Sequence, residues 1–210
     1  MKKITTIAFD MGGVIITIDQ QRAARRFGEL GLPDAEKALD PYTQKGIFGD
    51  IEEGKISAEE FRADLSRLCG KELSYDDCRY GWTGYAADVP LRNLDCLRRL
   101  REQGYRLLLL SNTNPYMMSW VFSSDFVGGR SLKEYFDTCY CSYEMGMMKP
   151  NPKIFEKLLS DEGLEPEEVL FLDDGPRNIE CAASLGIQTL LTINGEDWTA
   201  ELQKRLEKDC

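Results

Sequence analysis

The stretch Thr6-Ile7-Ala8-Phe9-Asp10-Met11-Gly12-Gly13-Val14-Ile15-Ile16 constrains the rest of the chain more than any other feature. With Ile4 ahead of it, it is an apolar run rich in β-branched and aromatic side chains. That is the composition of a strand covered on both faces, as in a parallel α/β sheet. Gly12-Gly13 ends the run and lets backbone approach a ligand closely. Asp10 is therefore delivered to the carboxyl end of a buried strand, and in open α/β sheets the ligand crevice lies outside those ends. Taken alone, Asp10 reads better as a turn former beside glycines; the remaining strands reverse that preference.

At 210 residues and 42% hydrophobic content the chain can bury a sizeable core. Its formal net charge of −10 argues against nucleic acid and against an anionic membrane surface as partners. A small anion held by a local metal or lysine stays open. The chain contains no histidine, which excludes Ser-His and Cys-His dyads, His-ligated zinc and imidazole acid/base chemistry. The seven cysteines are an odd number, scattered through expected strands and helices with no secretory signal before them, so reduced thiols and a cytoplasmic location are expected. No apolar run approaches the ~20 residues that span a bilayer.

Gly13 to Ile18 forms a short hairpin or an extended exit. Gln20 to Leu30 has helical spacing, and Pro33-Asp34 opens a second helical segment. Ser57 with Glu60 is a capping box for a helix running to about Cys69, where Gly70 stops it. Ser74 opens another helix, ending near Gly81-Trp82. No strand is expected between about residues 18 and 88. Beyond Pro90 helices and strands alternate: a helix over Leu91–Gln103, a strand over Tyr105–Leu110, a helix from Pro115, a strand over Thr138–Ser142, then a helix capped by Asn151 with Pro152 at its first position. Val169–Leu172 is a buried strand ending in Asp173-Asp174-Gly175. A helix over Arg177–Leu185, a strand over Gln188–Leu191 and a helix from Trp198 close the chain. The predicted fold class is α/β, a doubly wound parallel sheet with a helical cap spliced in after the first strand. The cap is residues 18–88 and the core residues 1–17 and 89–210.

Strand ends and nearby loops thus present Asp10, Ser111-Asn112, Lys149 and Asp173-Asp174 at one edge of one sheet. Three carboxylates buried together repel one another, and a divalent cation relieves this; an all-oxygen donor set with room for water suits Mg²⁺. Ser111 and Asn112 offer a hydroxyl, an amide and backbone donors suited to phosphate oxygens. Pro150 is expected to hold Lys149 extended and so to aim its ammonium.

The motifs Phe9-Asp10-Met11-Gly12-Gly13-Val14, Leu110-Ser111-Asn112-Thr113-Asn114, Gly146-Met147-Met148-Lys149-Pro150 and Phe171-Leu172-Asp173-Asp174-Gly175, in that order, resemble the haloacid dehalogenase-like superfamily over nearly the whole chain. The capped phosphatases, which include bacterial glucose-1-phosphate phosphatases and the N-terminal domain of soluble epoxide hydrolases, are the most similar group. The resemblance implies a Mg²⁺-dependent phosphomonoesterase whose partner is a small-molecule phosphate ester, with the oligomeric state left open. In it Asp10 is the nucleophile and forms an aspartyl-phosphate, Ser111 and Asn112 hold the phosphoryl group, and Lys149 neutralises charge. Asp10, the Gly12 carbonyl and Asp174 hold Mg²⁺, with Asp173 a near or water-mediated ligand.

One departure stands out. Such phosphatases usually place a second aspartate two residues after the nucleophile as the general acid, and here that residue is Gly12. Loss of such a group costs about 10²- to 10⁴-fold. Three explanations compete: a leaving group needing little protonation, a substitute acid among Glu52, Glu53, Tyr42 and Tyr85, or a phosphate- and metal-binding protein without turnover. A 2-haloacid dehalogenase also lacks that second aspartate, but the Asp173-Asp174 pair speaks against it.

Overall fold

The computed structural model describes residues 3–39 and 46–207. In chain order the elements are β1 (Thr6–Phe9), β2 (Thr17–Ile18), α1 (Gln20–Glu29), α2 (Ala35–Ala38), α3 (Ile47–Glu52), α4 (Ala58–Cys69) and α5 (Tyr75–Thr83). They continue with β3 (Ala86–Asp88), α6 (Leu91–Glu102), β4 (Arg106–Ser111), α7 (Pro115–Val121), β5 (Thr138–Cys141), α8 (Ser142–Met145) and α9 (Pro152–Glu162). β6 (Val169–Asp173), α10 (Pro176–Ser184), β7 (Gln188–Leu191) and α11 (Thr199–Glu207) complete the chain.

Five strands form one sheet in the order β5-β4-β1-β6-β7, every neighbouring pair parallel. Ile7, Phe9, Leu107, Leu109, Leu170 and Leu172 bury into the cluster on one face, with α6 and α11. Ala8, Leu108, Leu110 and Phe171 bury into the cluster on the other, with α9 and α10. Two-sided burial is why these strands read as unbroken apolar runs rather than as alternating ones. From central β1 the chain steps outward through β4 to β5, then crosses to β6 and β7 on the opposite side. The strand order therefore reverses beside β1, where a crevice opens at the carboxyl ends.

The helices between β2 and β3 bury a cluster of their own around Phe27, Phe48, Phe61 and Trp82, whose rings contact one another at 5.1–5.8 Å. Truncating one of these rings to alanine would cost about 3–5 kcal/mol. α4 starts at the expected capping box, Ser57 with Glu60, and stops at Gly70 in the left-handed conformation. Tyr116 of α7 inserts into this cluster and donates its hydroxyl to the Ala58 carbonyl at 2.5 Å.

The strand-free reading of residues 18–88 needs correction. Ile18 and Ala86–Asp88, with Thr17, form an antiparallel ribbon, Thr17 opposite Asp88 and Ile18 opposite Ala86. Asn194 fastens it, accepting from the Ile18 N–H at 2.8 Å and donating to the Ile18 carbonyl at 3.0 Å. The two crossings between core and cap are thus paired to each other. Among the described residues no helix is long and apolar enough to cross a membrane, and six cysteines are free.

Candidate active site

Asp10 follows β1 directly and lies level with the end of β6, its N–H donating to the Leu172 carbonyl at 2.9 Å. After it the chain folds tightly back: the Ile15 and Ile16 N–H groups both donate to the Met11 carbonyl, and Gly13 N–H donates to the Ile16 carbonyl. This is neither a hairpin nor an extended exit. Asn93 and Trp198 anchor the loop by donating to the buried Val14 carbonyl at 2.9 and 2.8 Å.

Lys149 lies at the centre of the site. Its ammonium donates to Asp10 Oδ1 at 2.7 Å, Asp173 Oδ2 at 2.6 Å and the Leu110 carbonyl at 2.8 Å, which uses all three N–H groups. Burial works against its charge, but Asp10 and Asp173 outweigh that and hold its pKa above the ordinary lysine value. The expected extended approach is not what aims it. Lys149 lies in a turn with a cis Lys149–Pro150 peptide, and Asn112 holds its main chain.

Asp173 is fully buried, and Gly175 N–H and the Asn178 amide join Lys149 in donating to its carboxylate at 2.7–3.1 Å. Asp174 is half-buried and lines the cavity. Asp10, Asp173 and Asp174 each bring one carboxylate oxygen within 4.8 Å of the others. Burial raises the Asp10 pKa; Lys149 opposes this, and the charges of Asp173 and Asp174 add to it. Asp174 is raised by burial and by Asp173. Three carboxylates against one ammonium leave two uncompensated negative charges. A divalent cation matches that charge, and oxygen donors suit Mg²⁺.

The cavity at this edge holds about 220 Å³ and is walled by Asp10, Gly12, Asn112, Lys149 and Asp174 from the sheet side. Glu52, Trp82 and Tyr85 wall it from the other side. Ser111 is not on its wall: it is buried, with its hydroxyl 3.3 Å from the Asn112 carbonyl. The Asn112 side chain, expected to grip phosphate, is engaged with Lys149. Glu53 pairs with Lys55 at 2.7 Å away from the cavity, and Tyr42 lies outside the described residues.

Residues 4–186 match the model of the haloacid dehalogenase-like hydrolases. The chain is a haloacid dehalogenase-like hydrolase. It is 46% identical over 200 residues to the D-ribitol-5-phosphate phosphatase of Bacteroides thetaiotaomicron, covering 95% of this hydrolase and 97% of that protein. A predicted family member from Porphyromonas gingivalis superposes with a TM-score of 0.92 at 43% identity, covering 98% of both chains. A Bacteroides thetaiotaomicron family enzyme in complex with magnesium and inorganic phosphate superposes with a TM-score of 0.86 at 35% identity, covering 94% of this chain and 98% of that one.

Several residues of this hydrolase's site carry no strong sequence signal. Asn178 reads as an ordinary helix residue, although its place one turn after Asp174 is a hint. Asn114 caps α7, its Oδ1 accepting from the Tyr116 and Met117 N–H groups at 3.1 Å, and its side chain is a neighbour of Glu52 that acts to lower the Glu52 pKa. Asn114-Pro115 has the N-cap signature, but nothing in the sequence couples it to Glu52. Trp82 and Thr113 line the cavity, and Trp82 Nε1 and Thr113 Oγ1 are buried without a hydrogen-bond partner among the described residues.

Proposed function

We propose that this hydrolase cleaves the phosphate monoester of a small polyol or sugar, with Asp10 as nucleophile and Mg²⁺ as cofactor. The observation that carries the reading is the Asp10–Lys149–Asp173 cluster, with Asp174 beside it, opening on one small cavity. A cavity of about 220 Å³ lies below the ~300–1,000 Å³ of drug-sized sites and suits a small ester. Trp82 and Thr113 line that cavity and each keeps a buried polar atom without a partner, and such atoms favour a substrate whose hydroxyls can supply one. The 46% identity to a polyol-phosphate phosphatase supports the same class.

Asp10 attacks phosphorus and forms the aspartyl-phosphate, which water then cleaves. Lys149 holds Asp10 in place and offsets charge on the transferring oxygens, a role that needs its permanent positive charge. Asp10, the Gly12 carbonyl and Asp174 hold the cation, and Asp173 orients Lys149 from behind. When bound, Mg²⁺ adds electrostatic stabilisation of the phosphoryl oxygens. Residues 18–88 close over the crevice as a cap, and free thiols suit a cytoplasmic setting.

The test is hydrolysis of p-nitrophenyl phosphate and of a pentitol and sugar phosphate panel, with and without Mg²⁺, with Asp10→Asn as the blank. Mg²⁺-dependent turnover that disappears in Asp10→Asn is the expected result. Bound phosphate or Mg²⁺ without turnover of any ester would instead favour a non-catalytic protein.

A further inference from the structure

Glu52 is the one of the four candidate acids that places a carboxyl on the cavity wall. It ends α3, outside the sheet, yet is only 7% exposed. Its main chain is tied down: Ser142 Oγ donates to the Glu52 carbonyl at 2.5 Å and itself accepts from the Thr113 N–H at 2.9 Å. Its side chain has Asn114 as a neighbour: the Asn114 oxygen is occupied in capping α7, and the side chain acts to lower the Glu52 pKa. One carboxyl oxygen, Oε2, remains buried with no hydrogen-bond partner among the described residues. A buried, positioned carboxyl with one unused oxygen on the same cavity as a nucleophile has the attributes of a proton-transfer group.

We propose that Glu52 donates the proton to the leaving ester oxygen, in place of the carboxylate that Gly12 lacks. The proposal rests on the phosphatase reading. As an Asp10 oxygen bonds to phosphorus, the bond from phosphorus to the ester oxygen breaks with its electron pair on that oxygen. The Glu52 proton moves there and the alcohol leaves. Glu52, now a carboxylate, takes a proton from the water that attacks the aspartyl-phosphate. The bond from phosphorus to Asp10 breaks with its pair on the carboxylate, inorganic phosphate leaves, and both side chains return to their starting states.

The surroundings favour the protonated starting state. Burial pushes the Glu52 carboxyl up to about 7; the Asn114 hydrogen bond opposes the rise and the charge on Asp10 adds to it. Its other titratable neighbour, Tyr85, is a phenol raised above its ordinary value by burial and by Glu52 itself, so it is a poor partner for taking the second proton. Lys149 already spends its three N–H groups.

The experiment is a series of phosphate monoesters from p-nitrophenyl to alkyl leaving groups, assayed with Mg²⁺ on the wild type and on Glu52→Gln. A thermal melt checks the fold of the isosteric variant. The expected result is a steeper dependence of kcat/KM on leaving-group pKa in Glu52→Gln, the alkyl end losing about 10²- to 10⁴-fold relative to the aryl end. A line parallel to that of the wild type, whether displaced or coincident, would overturn the proposal: a parallel displacement means Glu52 only binds or positions substrate. Failure of the wild type on p-nitrophenyl phosphate would overturn the phosphatase reading itself, and this one with it.

Discussion

Asn112 holds Lys149 from both sides of its main chain: it accepts from the Lys149 N–H at 2.8 Å and donates to the Lys149 carbonyl at 2.9 Å. The end of β4 thereby fixes the loop that carries the ammonium to Asp10. Asn112→Ala removes two part-buried hydrogen bonds, together about 2 kcal/mol of stability at ~1 kcal/mol each. It also releases the ammonium from its place over the nucleophile, so kcat on p-nitrophenyl phosphate should fall about tenfold or more. Denaturant melts and steady-state assays check the two parts separately.

Lys149→Met should cost more in stability than Asn112→Ala and should respond to metal. Asp10 and Asp173 would be left buried without their cation, a loss of about 3–5 kcal/mol. Mg²⁺ supplies positive charge to the same carboxylates, so the rise in melting temperature on adding Mg²⁺ should be larger in Lys149→Met than in the wild type, while turnover is lost. Equal rises in the two proteins would contradict the charge balance argued for the site.

The residues that sequence reading found and missed differ in where their information lies. Asp10 and Asp173-Asp174 stand out because an apolar run ending in acid has few explanations within a parallel sheet. The parallel sheet covered on both faces follows from the alternation of helices and strands, whereas the strand order and its reversal beside β1 come only from the pairing. Glu52 is different. Locally it is one of the acids in Asp50-Ile51-Glu52-Glu53, and only the docking of α3 onto Ser142 and Asn114 separates it from Glu53, which meets Lys55 instead. The β2–β3 ribbon is two residues against three, too short for any periodicity, and its pairing partner is some 70 positions away. Ser111 and Asn112 lie at the expected strand end, but a sequence does not say that one amide is used up on the backbone of Lys149.

Glu52 should make stability depend on pH in the metal-free protein. Its carboxyl has an ordinary value of 4.5 and lies at about 7 when folded. Between those values the folded protein keeps a proton that the unfolded chain has lost. Stability from this group is fully present below 4.5, declines as pH rises, and is gone above 7, a change on the order of 3 kcal/mol. Glu52→Gln has no such proton to lose. Chemical denaturation from pH 4.5 to 8 should show the variant gaining on the wild type as pH rises; a difference constant across that range would refute it.

Gly12 and Gly13 are adjacent, yet substitution should act on them in opposite ways. A Cβ on Gly13 would lie 2.0 Å from Asp174 Oδ2, and its φ of 76° disfavours any side chain. Gly13→Ala should displace Asp174 and weaken Mg²⁺ at least tenfold, measured by calorimetric titration, with activity falling in step. A Cβ on Gly12 meets only the Ile18 side chain, at 3.3 Å, a contact that a flexible end can yield. Gly12→Asp therefore restores a carboxylate two residues after the nucleophile without breaking the loop. Added to Glu52→Gln, it should recover at least tenfold of the lost alkyl-ester turnover while leaving the aryl ester far less affected. Recovery of both esters by one common factor would mean that the new carboxylate had improved metal binding rather than proton transfer.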